Sequence, residues 1–136
     1  MVITLATSLS PDVLSLLEEA QSALIAKRGG NELMSTIVGG TPIDDVLEQL
    51  VANQELWIAL VDHEHRGLVI VRADVIVAVY VTPTFRRHGI ARAMLRTVLA
   101  SANHPMDAYA LPGDRATKSL FESIGWKARL LMMRGE

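Results

Sequence analysis

The stretch 81-VTPTFRRHGIARAM-94 closes a valine-rich run at a proline, sets Arg86, Arg87 and His88 in a row, admits Gly89 and turns at once into a helical repeat. A helix N-terminus leaves up to four backbone N–H groups without intrahelical acceptors and carries the positive end of the dipole, so an anion placed there is held without any side chain. Gly89 permits close approach of a bulky phosphate and unusual dihedrals, and small Ala91 keeps the next turn clear. The guanidinium of Arg86 or Arg87 can add charge-assisted bonds. Such a loop suits a diphosphate. Its spacing is neither that of a Walker loop, G-x-x-x-x-G-K-[ST], nor that of the three-glycine dinucleotide fingerprint.

The surroundings of the loop predict a sheet domain. The apolar run from Leu68 to Val81 would span more than about 40 Å as one strand at about 3.3 Å per residue, too long for a domain of this size. With interruptions at 62-DHEHRG-67 and 72-RAD-74, residues 56–81 read as three strands in a meander. After the loop, Ile90, Ala91, Met94, Leu95, Val98, Leu99 and Ala102 trace one helical stripe, with Arg92 and Arg96 facing away. Next come a strand at 106-MDAYAL-111, a turn whose Asp114 can cap the helix 115-RATKSLFESI-124, an exit at Gly125 and a final strand at 126-WKARLLMM-133.

Upstream, 2-VITLA-6 reads as a first strand. The first helix starts with Ser10 as N-cap and Pro11 behind it, and leaves at Gly29. A polar, glycine-bearing segment then leads to a second helix with Thr41 as its cap. The basic stretch 27-KRGG-30 reads as a helix exit, and a substrate-gating loop over residues 28–34 is the sharper alternative. The predicted order is β-α-α-β-β-β-α-β-α-β in one domain spanning residues 1–136.

Composition narrows the function classes. The chain has 136 residues, half of them hydrophobic, which suits one core, and its formal charge of −2 gives no overall field pointing to nucleic acid or an anionic membrane. With no cysteine there are no disulfides, thiolate metal sites or Cys nucleophile, and a reducing cytoplasm is the expected location. The first residues lack the basic and apolar regions of a signal peptide, and no apolar run reaches the roughly 18 residues that span a bilayer. His63, Glu64 and His65 in the "DHEH" stretch are potential ligands, yet a strand-connecting turn is the better reading and no metal is expected.

The R-x-x-G-x-A pattern of Arg86, Gly89 and Ala91 after a V-x-P strand end resembles the GNAT superfamily of acyl-CoA-dependent N-acyltransferases, whose hallmark is [QR]-x-x-G-x-[GA]. A second resemblance lies in 114-DRATKSLFESIGW-126, where Leu120, Glu122 and Gly125 match a common family pattern and Trp126 holds an aromatic place. Together they cover roughly residues 55–133. The resemblance implies an α+β fold, a mixed and mostly antiparallel sheet flanked by helices and splayed between its fourth and fifth strands. It implies acetyl-CoA as co-substrate, with the diphosphate on Arg87, His88, Gly89, Ile90, Ala91 and Arg92 beside Arg86. The pantetheine arm would pair with the backbone near Val79 and Val81, with Asp114 and Phe121 walling the thioester. It further implies a small-molecule or peptide amine as acceptor, attacking the thioester directly.

Two places depart from the family pattern. Phe121 stands where many members carry a proton-donating tyrosine, and residues 75–82 contain no Asp, Glu or His. Tyr109 and Tyr80 are the substitutes as catalytic acids, with Asp74 or water behind them. The rival function is a non-catalytic CoA-binding or partner-binding module, and a nucleotide-binding structural domain stands third. A homodimer completing a sheet edge with residues 126–133 is also compatible with the short chain.

Overall fold

A computed structural model describes residues 1–135. The elements in order are β1 (Val2–Leu5), α1 (Pro11–Ile25), α2 (Gly30–Val38), α3 (Ile43–Ala52), β2 (Leu56–Val61), β3 (Glu64–Arg72), β4 (Val75–Val81), a 3-10 turn (Pro83–Phe85), α4 (Ile90–Ala102), β5 (Asp107–Ala108) and α5 (Arg115–Ser123). The strands form one sheet in chain order, antiparallel throughout except for the parallel β4–β5 pair. The meander breaks where the sequence predicts it. Asp62 with His63 and Ala73 with Asp74 occupy the tight turns, all four at positive φ, as two-residue hairpin turns that match strand twist require.

Two apolar layers flank this sheet. On one face α1, α2 and α3 bury Leu16, Leu33, Val46 and Leu50 against Ile58, Leu68 and Ile70. On the other, α4 and α5 bury Met94, Leu95, Val98 and Phe121 against Val69, Ile76 and Val81. The predicted stripe of α4 holds: Ile90, Met94, Leu95 and Val98 are buried while Arg92 and Arg96 are exposed. Ser10 accepts from Val13 N at 3.3 Å and caps α1, and Asp114 caps α5.

Five expectations are corrected. Residues 30–38 form a helix, α2, rather than a polar connection, because Leu33 and Ile37 lie one turn apart on a buried face and left-handed Gly29 and Gly39 bound it. A Cβ at Gly30 would stand 2.0 Å from Leu24 O, so glycine permits the close passage of α2 past the end of α1. The gating loop over residues 28–34 therefore falls mostly inside a helix. Thr41 does not cap α3, whose N-cap is Pro42 with no side-chain bond; Asp44 and Asp45 in the first turn complement the dipole instead.

The strand expected at 106–111 shrinks to Asp107–Ala108, and the final strand at 126–133 is absent from the described residues. A strand needs a ladder, and β5 is too short to offer one. The last segment runs as irregular chain, with Leu130 91% exposed and Arg134 reaching Glu32 on α2 at 3.8 Å.

Candidate active site

The site is built on the end of β4. Ile70 opposes Ala78 while Val71 opposes Ile76, so Val77 is an extra residue in β4, a bulge. Val77 and Ala78 consequently face the same layer, that of α1–α3, and the alternation beyond them is reset: Tyr80 packs toward those helices, Val79 and Val81 toward α4. Thr82 N donates to Arg66 O at 2.9 Å, so the even-numbered residues from Ala78 to Thr82 bond β3. Val79 and Val81 turn their N–H and C=O groups the other way. Nothing on β5 meets them there, because β4 and β5 pair only at Val75–Asp107 and Ile76–Ala108 and part after Tyr109 N donates to Ile76 O at 3.0 Å.

The opening is a narrow cleft, open to solvent, between Val77–Tyr80 on one side and Tyr109–Leu111 on the other, with Asp114 and Thr117 at the start of α5. Ala20, Ala23 and Leu24 of α1, with Lys27 just past its end, close it from the first layer.

The loop after β4 supplies donors. Arg87 at φ 65° and Gly89 at φ 79° are left-handed, a geometry that turns successive N–H groups into a concavity for an anion. None of the backbone N–H groups from Arg87 to Arg92 donates to an acceptor among the described residues, and the first intrahelical partner is taken by Ala93 N on Gly89 O at 3.0 Å. A Cβ added at Gly89 would meet nothing within 4 Å, so the space in front of that backbone is open. These features fit a diphosphate.

The side chains divide differently from the sequence expectation. Arg86 turns inward: its Nε donates to Val81 O at 2.9 Å and its guanidinium carbon lies 5.5 Å from the centre of the Tyr80 ring. That bond occupies the Val81 carbonyl and leaves the Val81 N–H aimed at the opening. Arg92 reaches Ser123 Oγ on α5 at 3.0 Å, so only its backbone serves the loop. Arg87 and His88 are exposed. Asp114 lines the cleft, but its carboxylate is used in capping, accepting from Thr117 N at 3.1 Å and Thr117 Oγ1 at 2.6 Å.

Phe121 is buried and stacks on Trp126 at 5.2 Å between ring centres, in the same cluster as Val79, Val81 and Ile90. Tyr109 is 47% exposed at the cleft mouth. Tyr80 lines the cleft with its pKa raised, first by burial and then by the Glu19 carboxylate, partly offset by the Arg86 guanidinium. Glu19 escaped the sequence reading. Its signal was the four-residue spacing of Glu19 and Ala23 on α1, visible only once α1 is known to roof the cleft. Among the described residues no group of three or more His, Cys, Asp or Glu is placed to hold a metal ion, and no helix is long and apolar enough to cross a membrane.

Comparison with known proteins agrees with this geometry. The family model described as an acetyltransferase (GNAT) domain matches residues 52–128, from the end of α3 through the bulged strand and loop to Ala128. The chain belongs to that acetyltransferase family and is an enzyme. No curated protein matches it. Among solved structures, a tetramutant of a Bacillus halodurans protein superposes with a TM-score of 0.72 at 15% identity, covering 100% of this chain and 99% of that one. The aminoglycoside acetyltransferase AAC(6')-Iy, in complex with the bisubstrate analogue CoA-S-monomethyl-acetylneamine, gives 0.61 at 18%, covering 99% and 97%. A ribosomal-protein-alanine N-acetyltransferase from Brucella melitensis gives 0.55 at 19%, covering 98% and 100%. At these identities the likeness is one of fold.

Proposed function

We propose that the protein moves an acetyl group from acetyl-CoA to a primary amine by direct attack on the thioester. The observation that carries this reading is the run of undonated N–H groups from Arg87 to Arg92, set beside a splayed strand whose Val79 and Val81 backbones face the opening. In this reading the N–H groups of the loop hold the diphosphate, and the Val79 and Val81 backbones pair with the pantetheine arm. Phe121 and Asp114 wall the thioester. The Val81 N–H, kept in place by the Arg86 bond to its own carbonyl, stabilises the oxyanion as the carbonyl carbon becomes tetrahedral.

A leaving thiolate is weakly basic, so its protonation asks little of a side chain, and Tyr80, Tyr109 or water can serve. The acceptors in the names of the fold neighbours, an aminoglycoside and a protein alanine, are both amines, which supports an amine here. The exposed run Leu130–Met133 is compatible with a homodimer of the same enzyme.

Isothermal titration with acetyl-CoA, CoA and ATP tests the donor site. Micromolar binding of both CoA forms without ATP binding is the expected result, and absence of CoA binding would overturn the proposal. A protein that binds CoA yet acetylates no amine would be the non-catalytic module instead.

A further inference from the structure

We infer that Glu19 of α1 receives the acceptor as an ammonium ion and takes its proton, so that the acceptor is a cationic amine presented from the α1 side of the cleft. The inference rests on the acetyl-transfer reading and identifies the carboxylate missing from β4. An amine that arrives protonated has no lone pair, and a group close to the thioester must accept the proton before nitrogen attacks. Residues 75–82 offer no Asp, Glu or His for this.

The fold brings one from elsewhere. Positions four apart on a helix share a face, and Ala23 lines the cleft together with Ala20 and Leu24 of the same helix. Glu19 stands one turn before Ala23 on that stripe. The Val77 bulge, which aims the Val79 and Val81 backbones at the opening, also sends the Tyr80 ring toward α1. There the Arg86 guanidinium lies 5.5 Å from the centre of the Tyr80 ring, and the phenol feels the Glu19 carboxylate from the helix side.

One residue, Tyr80, therefore couples the exposed carboxylate on the helix to the strand that carries the donor backbone. Other charged and titratable groups on the elements bounding the cleft include Tyr109 across it, Glu18 on the same helix and Lys27 just past its end. Lys27 Nζ is turned onto Ala23 O at 3.2 Å and makes no salt bridge with Glu19.

The step balances as follows. An N–H proton of the acceptor passes to a carboxylate oxygen of Glu19, and the freed lone pair forms the N–C bond at the acetyl carbonyl. The C–S bond then breaks with its electron pair remaining on the CoA sulfur, and the second N–H proton, shed by nitrogen as the neutral amide forms, passes to that thiolate or to water. Tyr80, whose pKa is raised by burial and by Glu19 itself, stays protonated at neutral pH and orients the carboxylate through its O–H.

Glu19→Gln and Glu19→Asp test this, with acetyl-CoA as donor and neamine, spermine and an alanine-led peptide as acceptor probes. Glu19→Gln should lower kcat/KM about 100-fold at neutral pH, the lower end of what general bases contribute. It should remove the acid limb of the pH profile and leave acetyl-CoA affinity unchanged, with Glu19→Asp restoring part of the rate. An unaltered rate and profile in Glu19→Gln would overturn the inference and leave the acetyl-transfer reading standing. A parent enzyme that fails to bind acetyl-CoA would overturn both. A second measurement needs no acceptor: the chain has two tyrosines, Tyr80→Phe assigns their ultraviolet titrations, and Glu19→Gln should lower the Tyr80 midpoint. An unmoved midpoint would place Glu19 away from the cleft and overturn the inference even if none of the three amines is acetylated.

Discussion

Replacing Gly89 with valine should abolish CoA binding while leaving the fold intact, and the structure sets both sides of that expectation. Gly89 lies at φ 79°, where a side chain strains the backbone by about 1–2 kcal/mol. Its Cβ would meet no atom within 4 Å, so no packing cost is added. Domains of this kind are stable by roughly 5–15 kcal/mol, so the variant stays folded with Tm lowered by about 4–8 °C.

The valine methyls, however, would stand in the space in front of the Arg87–Arg92 N–H groups, where the diphosphate is proposed to lie. Loss of two charge-assisted hydrogen bonds at about 1.5–3 kcal/mol each weakens CoA binding by about 10²–10⁴-fold. Gly125 provides a matched control, at φ 91° and also with nothing within 4 Å. Gly125→Val should show a similar fall in Tm with CoA affinity unchanged. Calorimetric titration of both variants decides the matter: CoA affinity undiminished in Gly89→Val, or lost equally in Gly125→Val, would refute the argument.

Three further predictions concern single side chains. Phe121→Tyr adds a phenol to the expected thioester wall and should change the pH–rate profile without creating activity; no turnover before the change and clear turnover after it would show that the family tyrosine is indispensable. Arg72→Ala should destabilise the protein by about 2–3 kcal/mol in urea unfolding, because Arg72 ties Ile37 O at 3.3 Å, Gln49 Oε1 at 3.2 Å and Glu55 Oε1 at 3.4 Å across α2, α3 and the residue before β2; a midpoint equal to that of the parent would contradict it. Thr82→Val should raise stability by about 1 kcal/mol, since the Thr82 hydroxyl is buried with no hydrogen-bond partner among the described residues, and a lowered urea midpoint would count against this.

What the sequence disclosed was what depends on local chemistry. Pro11 behind Ser10, Asp114 before its helix and the 3.6-residue stripe from Ile90 announce helices because caps and periodicity act within a few residues. The shape of the loop, with its unbonded N–H groups, was legible for the same reason: Gly89 and the helix start it precedes are neighbours in the chain. Helix α2 was obscured by the glycines that bound it, which read as loop composition although Leu33 and Ile37 bury one face. Residues 126–133 carry strand-forming side chains, yet a strand forms only against a partner edge, and the brevity of β5 is a tertiary fact. The inward turn of Arg86 and the meeting of Glu19 with Tyr80 join residues 5 and 61 positions apart, respectively. The first rests on a rotamer and the second on how α1 crosses the sheet, and neither is written in spacing.

The Val77 bulge gives β4 something like a reading frame. Deleting that one residue would leave Ile76 opposite Val71 and Ala78 opposite Ile70, an unbroken alternation in which every residue from Ala78 to Val81 keeps its partner and its layer. Deleting two would leave the strand one residue short and turn part of it over. Among natural or engineered relatives of this chain, β4 should therefore tolerate the loss of one residue but not of two, the spare residue of the bulge absorbing the first, whereas the Asp62–His63 and Ala73–Asp74 turns carry no such phase beyond their own hairpins.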